Sequence, residues 1–240
     1  MNPSPVTFTP FDDYARALDA AAEAWGVEPG YWDIWGRYHE TSPEVKRAIL
    51  ESLGVAAASL EDLNRALEAD LWCSWNEPLP PVAVTAREAG DAVLPLRLPA
   101  EYASGAATLA VQFETGETSR STVDLTGLES AASARLRGRH FVEKRLPLPQ
   151  APLGYHGVKI TVSAGSLPPL ETSTRWIAAP ARAWLPEELA RGGKRAGLYI
   201  SLYGLRSARN WGCGDFTDLE RLAGWPLYNL RLQFRFLVRG

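Results

Sequence analysis

The chain has 240 residues, 46% hydrophobic and 22% charged, with 25 basic against 28 acidic side chains and a net charge of −3. This is the composition of a globular protein with room for one or two domains, and it makes no electrostatic case for nucleic acid. The first twenty residues lack the basic start and apolar core of a secretory signal, no apolar run approaches the roughly 20 residues of a membrane span, and Cys73 and Cys213 fit no metal spacing, so a cytoplasmic protein with reduced thiols, no metal site and no membrane span is expected.

Thr9-Pro10 followed by Asp12 predicts a helix start, with Phe11, Tyr14, Leu18, Ala21, Ala22 and Trp25 recurring at helical spacing before Gly26. Tyr31-Trp32-Asp33-Ile34-Trp35-Gly36 is an aromatic knot too dense for a solvated loop. Ser42-Pro43-Glu44 opens a second helix whose apolar face is expected to be Val45, Ile49 and Leu53. Ser59 and Asp62 open a third, with Leu60, Leu63 and Leu67 on one side. Residues 1–77 therefore read as a small helical domain whose core is expected to include Trp25, Tyr31, Trp32, Trp35, Tyr38, Trp72 and Trp75, because aromatics bury the most area per side chain. The same cluster invites a carbohydrate-binding alternative.

After Pro78-Leu79-Pro80-Pro81 the pattern shifts to short runs: Val82–Arg87, Val93–Leu98, Thr108–Glu114, Thr118–Asp124, Arg139–Leu146, Gly157–Ser163 and Thr174–Ala178. Turn signals stand at Gly90-Asp91 and Glu114-Thr115-Gly116-Glu117. Seven short strands predict an antiparallel β-sandwich over 78–179. Arg135, Arg137, Arg139, Lys144 and Arg145 read as a solvated strand face, and 180–195, with Pro180, Pro186, Gly192 and Gly193, as a linker.

Leu198 to Tyr203 is an apolar strand-like run. It feeds a glycine-punctuated loop, and Asp215-Phe216-Thr217-Asp218 begins a helix. Strand, glycine loop and helix form the opening unit of a βα-barrel, whose βα-loops make the substrate face. The helix signals of Asp218–Ala223 are expected to break at Trp225-Pro226. The acid-free, basic and apolar segment Leu230–Arg239 that follows is out of character.

Leu202-Tyr203-x-Leu205-Arg206-Ser207 with Arg209-Asn210-Trp211-Gly212-x-Gly214-Asp215-Phe216-x-Asp218-Leu219 resembles the start of the catalytic domain of 4-alpha-glucanotransferases, the amylomaltases, in their long form with extra N-terminal domains. Tyr31-Trp32-Asp33-Ile34-Trp35-Gly36 with His39-Glu40-x-Ser42-Pro43-Glu44 is a second match. The resemblance implies an α+β multidomain chain: helices (1–77), β-sandwich (78–179), linker (180–195), the first strand-loop-helix of a truncated (β/α)8 barrel (196–225), and an aberrant tail (226–240). That tail suggests a frame shift or interruption near Gly224. It also implies transfer of α-1,4-glucan segments between maltodextrins through a covalent glycosyl intermediate, without cofactor, and catalytic carboxylates outside this chain.

Within the chain, Asp215 and Asp218 read as helix caps rather than as a catalytic pair, so no catalytic residue is assigned. Asn210 and Trp211, with Arg209, sit on the loop that faces sugar in the relatives and are the candidate substrate-binding residues; for Trp211, packing on the barrel rim is the equal alternative. Gly204 stands where relatives usually carry serine, and Cys213, where they carry an aliphatic residue, is expected to be a buried thiol. His39, His140 and His156 show no ligand spacing. The expected partner is maltodextrin or another α-1,4-glucan, with self-association through the unpaired barrel strand. A stand-alone carbohydrate-binding or scaffolding module is the competing reading, and a membrane-surface role for the basic tail is a weaker third.

Overall fold

The computed structural model describes residues 4–86, 92–194 and 200–230, the last six of these by backbone alone. Two compact units divide the chain, residues 1–182 and 183–240. The architecture is an N-terminal helical region, a mixed β-sheet domain resembling a sandwich, and a trailing segment consistent with the start of a barrel.

Three helices form the N-terminal region: α1 (Tyr14–Ala24), α2 (Pro43–Ser52) and α3 (Leu60–Asn76). The first begins later than Thr9-Pro10 suggests, because Asp13 is its N-cap and accepts from the Arg16 N–H at 2.9 Å. It ends where expected. Gly26, at φ 73°, donates to Glu23 and Val27 donates to Ala22, which satisfies the last carbonyls in a Schellman motif. Ser42 and Ser59 cap α2 and α3 as the sequence predicts.

The apolar face of α2 is a correction. Val45, Ile49 and Leu53 are 48, 36 and 55% exposed, whereas Lys46 and Leu50 are buried. The buried stripe lies one residue further along, and a lysine disguises it: the Lys46 stem packs inward while its Nζ reaches Asp19 Oδ1 at 2.8 Å. Leu18, Leu50 and Leu63 centre this core, with Phe11 and Trp25 at its margin.

A second correction concerns the aromatic knot. It is an exposed hairpin, β1 (Gly30–Trp32) paired with β2 (Tyr38–Glu40), and Tyr31, Trp32, Trp35 and Tyr38 stand outside the core. Of the expected aromatic core, Trp75 is buried, and Trp25 and Trp72 are partly so. A ribbon of two three-residue strands has no interior of its own, so aromatic density here marks a surface.

Eight strands build the sandwich: β3 (Val82–Ala86), β4 (Val93–Pro99), β5 (Ala106–Gln112), β6 (Thr118–Asp124), β7 (Ser130–Leu136), β8 (Arg139–Pro147), β9 (Gly154–Ser163) and β10 (Leu170–Ala179). They form a five-stranded sheet in the order β3-β10-β9-β5-β6 and a three-stranded sheet in the order β4-β8-β7. Every pair is antiparallel except β3 with β10. Leu94, Leu96, Leu98, Leu109, Ile160, Val162 and Trp176 alternate inward to fill the space between the sheets.

Strand β7 gives no strand signal in sequence, since Ser-Ala-Ala-Ser-Ala-Arg-Leu lacks β-branched and aromatic residues. Its turn to β8 has Arg137 and Gly138 both at positive φ, 47° and 74°, the geometry of a type I′ hairpin without the usual Asn-Gly. The Gly116 turn forms as expected, with φ 90° and Phe113 N–H donating to Glu117, while Gly90-Asp91 lies outside the described residues. Lys144 is not solvated: it is buried and donates to the Leu128 carbonyl at 2.6 Å.

Helix α3 joins this domain through a third core. Trp75, Ala134, Leu136 and Phe141 are buried together, with Phe8, Leu71 and Trp72 against them, and Trp72 meets the Phe141 ring edge-on at 5.6 Å.

In the second unit, α4 (Glu187–Ala190) precedes residues 195–199, which lie outside the description and take with them the start of the expected strand. Ser201 is extended, and Leu202–Gly204 then forms a 3-10 turn in place of the end of that strand. Helix α5 (Phe216–Leu230) runs through Trp225-Pro226 rather than breaking there. Proline removes its own helical bond and crowds the carbonyl four residues before it, a cost of about 3 kcal/mol that a helix can carry as a kink rather than as an end. The tail beyond Leu230 lies outside the described residues.

Candidate functional site

The loop between the 3-10 turn and α5 holds the candidate residues. Two glycines shape it. Gly212 sits at φ 96°. A Cβ on Gly214 would come within 2.2 Å of the Leu202 carbonyl and 2.6 Å of Leu205 Cβ, so only glycine fits this approach.

Asp218 is the hub. Ser207 Oγ donates to its Oδ1 at 2.7 Å, Asn210 Nδ2 to its Oδ2 at 2.9 Å, and the Asp215 N–H to the same Oδ2 at 3.1 Å. Arg209 approaches at 3.2 Å and also pairs with Asp215. In return Asp215 Oδ1 accepts from the N–H groups of Thr217 and Asp218 at 2.9 and 3.1 Å. Both carboxylates thus serve the start of α5, as the capping reading expects. The bonds from Asn210 and then Ser207 hold the Asp218 carboxyl far below the usual carboxylate range. Asp215 is also lowered, chiefly by its bond to Arg209, and that bond raises Arg209 in turn.

Asn210 is engaged within the loop. Besides Asp218, its amide nitrogen donates to the Leu205 carbonyl at 3.1 Å, and its oxygen accepts from the Gly212 N–H at 3.2 Å. Trp211, its neighbour, is fully exposed at 102%. The arrangement is a braced loop holding one free indole. Cys213 is exposed rather than buried, because it follows Trp211 and Gly212 at the outer turn of the loop.

Two of the three histidines have local partners. His39 Nε2 lies 2.9 Å from Asp33 Oδ2, and the buried His156 stands between the Pro152 carbonyl and the Glu114 N–H. Among the described residues no three His, Cys, Asp or Glu side chains group as metal ligands, and no helix is long and apolar enough to cross a membrane. The reciprocal bracing by Ser207 and Asn210 is what the sequence reading missed. Their spacing from Asp218 carries no local signal, since the loop closes it in space.

Comparison with known proteins follows the same outline. The model of the MalQ N-terminal beta sandwich domain matches residues 78–180. Over 216 residues, 89% of the chain, the sequence is 33% identical to the 4-alpha-glucanotransferases of Mycobacterium bovis and Mycobacterium tuberculosis. The chain spans 28% of the length of these relatives.

Proposed function

Because the chain is homologous to the N-terminal part of 4-alpha-glucanotransferases, we propose that it is the front portion of an enzyme that moves α-1,4-glucan segments between maltodextrins. The observation that carries this reading is the 33% identity sustained over 89% of the chain. Retaining transfer uses two carboxylates about 5–5.5 Å apart, one forming the glycosyl ester and the other shuttling the proton. Asp215 and Asp218 are both engaged at the α5 start, which supports placing the reacting pair in the part of the relatives that this chain does not span. On this reading the chain alone does not turn over maltotriose.

Trp211 and Asn210 are the substrate-side residues of the proposal. The exposed indole offers a flat apolar face to the C–H face of a glucose ring, and Asn210 holds the loop that presents it. Two exposed free cysteines, Cys73 and Cys213, support a reducing, cytoplasmic setting. Self-association of the chain is also part of the proposal, and sedimentation across a concentration series tests it.

The direct test is a chimera in which this chain replaces the corresponding N-terminal region of the Mycobacterium tuberculosis relative. Disproportionation of maltotriose by the chimera supports the reading. A folded chimera without transfer, beside an active parent, overturns it.

A further inference from the structure

The outer face of the five-stranded sheet carries a groove of about 780 Å³, lined by Arg120, Lys159 and Arg175 around Ala110, Gly157 and Ser173. Alternation along the strands fixes this grouping. Leu109, Val111, Val158, Ile160 and Trp176 fill the core, so the residues next to them in sequence turn outward.

Register sets the spacing. Arg120 pairs with Ala110, Ala110 with Lys159 and Lys159 with Ser173, which makes one row across β6, β5, β9 and β10. Arg175 pairs with Gly157 in the next outward row. Adjacent strands lie about 4.8 Å apart and alternate residues about 6.8 Å, so between backbones Lys159 stands roughly 8 Å from Arg175 and roughly 10 Å from Arg120.

All three cations are exposed, and among the described residues none of them meets a carboxylate. Elsewhere in the same domain Arg97 is held by Glu143, and in the helical region Lys46 is held by Asp19. Two acids border the groove. Glu171 stands opposite Thr161, one outward row beyond Lys159, and Glu114 Oε2 is taken by the Tyr155 N–H at 3.0 Å. The local field is therefore positive on a chain whose net charge is −3.

Gly157 is a second observation, independent of charge. It lies inside β9, paired with Gln112 on one side and Arg175 on the other. Its φ is not left-handed, and a Cβ built on it would meet nothing within 4 Å. Neither a turn nor packing within the chain asks for glycine here, where it weakens the strand. Its effect is to keep the floor open beside Lys159 and Arg175, as Ala110 and Ser173 keep the rest of it low.

We propose that this groove binds a small molecule carrying two or more linked phosphates, held by charge-assisted hydrogen bonds from Arg120, Lys159 and Arg175. One phosphate meets one pair of these side chains, whereas linked phosphates span all three. The groove has the volume of a small-molecule site, about 300–1,000 Å³, and the net negative charge of the chain opposes a long polyanion. The proposal is independent of the glucanotransferase reading, since it uses neither Trp211 nor a sugar.

The test is isothermal titration of the full chain with inorganic tripolyphosphate, with sulfate at the same ionic strength as the control anion. Saturable binding of tripolyphosphate is expected, at least about tenfold tighter than that of sulfate, and weakened about tenfold or more in Lys159→Gln/Arg175→Gln. Gly157→Val keeps every charge and suits a strand, so its thermal transition should match or exceed that of the parent while binding falls about tenfold. Arg145→Gln removes an exposed cation from the three-stranded sheet and should bind as the parent does. Absence of binding by the parent chain, equal affinity for sulfate, or undiminished binding in either groove variant overturns the proposal. So does equal weakening in Arg145→Gln, which would make overall charge the cause. Tighter binding of a single-stranded oligonucleotide than of tripolyphosphate also overturns it, because the face would then be a nucleic-acid surface.

Discussion

Asp215 and Asp218 cap one another. The Asp218 N–H donates to Asp215 Oδ1, the Asp215 N–H donates to Asp218 Oδ2, and both bonds are 3.1 Å long. Asp218 also gathers Ser207 and Asn210, so a single carboxylate ties both ends of the loop to the first turn of α5. Asp218→Ala should free Asn210 and raise amide exchange across 205–218, leaving exchange in residues 4–182 unchanged. Asp215→Asn, which keeps an acceptor at the cap, should have the smaller effect. Equal exchange in Asp218→Ala and the parent chain would show that the loop is held by other means.

The same carboxylate makes the second unit acid-sensitive. Its native pKa is depressed, whereas in the unfolded chain it titrates near pH 4. The group therefore contributes stability that is fully present above pH 4 and is lost as pH falls toward the native value. Protection of α5 amides should decline between about pH 4.5 and pH 2, with a shallower decline in Asp218→Asn. A decline that is the same in both chains would assign the effect to other carboxylates.

Tryptophans separated by fold position should behave oppositely. Trp75→Ala empties a core shared with Phe141 and Leu136, and should cost about 3–5 kcal/mol in chemical denaturation. Trp35→Ala removes an exposed turn residue and should stay within about 0.5 kcal/mol. A large loss at Trp35 would place the hairpin inside a packed interface.

Helix α2 offers a test of phase. Leu50→Ala should cost about 2–5 kcal/mol because the side chain is fully buried. Leu53→Ala, at 55% exposure, should change stability by about 0.5 kcal/mol or less. The reverse order would rotate the helix by one residue.

A chain ending at Arg182 should keep the main thermal transition within about 2 °C, since residues 1–182 form a compact unit of their own. Calorimetry of the two lengths measures this directly. Loss of the transition on shortening would mean that the second unit supports the sandwich.

What could be read from the sequence was local chemistry. Ser42 and Ser59 announce their helices because a cap acts on amides two or three residues away, and Gly116 announces its turn for a similar reason. The capping role of Asp215 and Asp218 was legible on the same ground. Lys46 hid the α2 stripe because hydropathy scores its charge and not its buried stem. Strand β7 was invisible because alanine and serine gain strand character only from neighbours, here β8 and the bridge from Val6 to Ala134. The aromatic knot misled because side-chain type records how much area is available to bury and not whether anything lies opposite.

The parallel pairing of β3 with β10 sets an order of events during synthesis. Trp176, in the last strand of the sandwich, donates its indole N–H to Thr85, in the first, across 91 residues of sequence. At translation rates of 5–20 residues per second, β3 waits roughly 5–20 s on the ribosome before its neighbour exists. Through that interval Val82 and Val84 sit on an unsatisfied backbone edge. Slow codons between β3 and β10 lengthen that interval and should lower the yield of folded protein more than slow codons after residue 182.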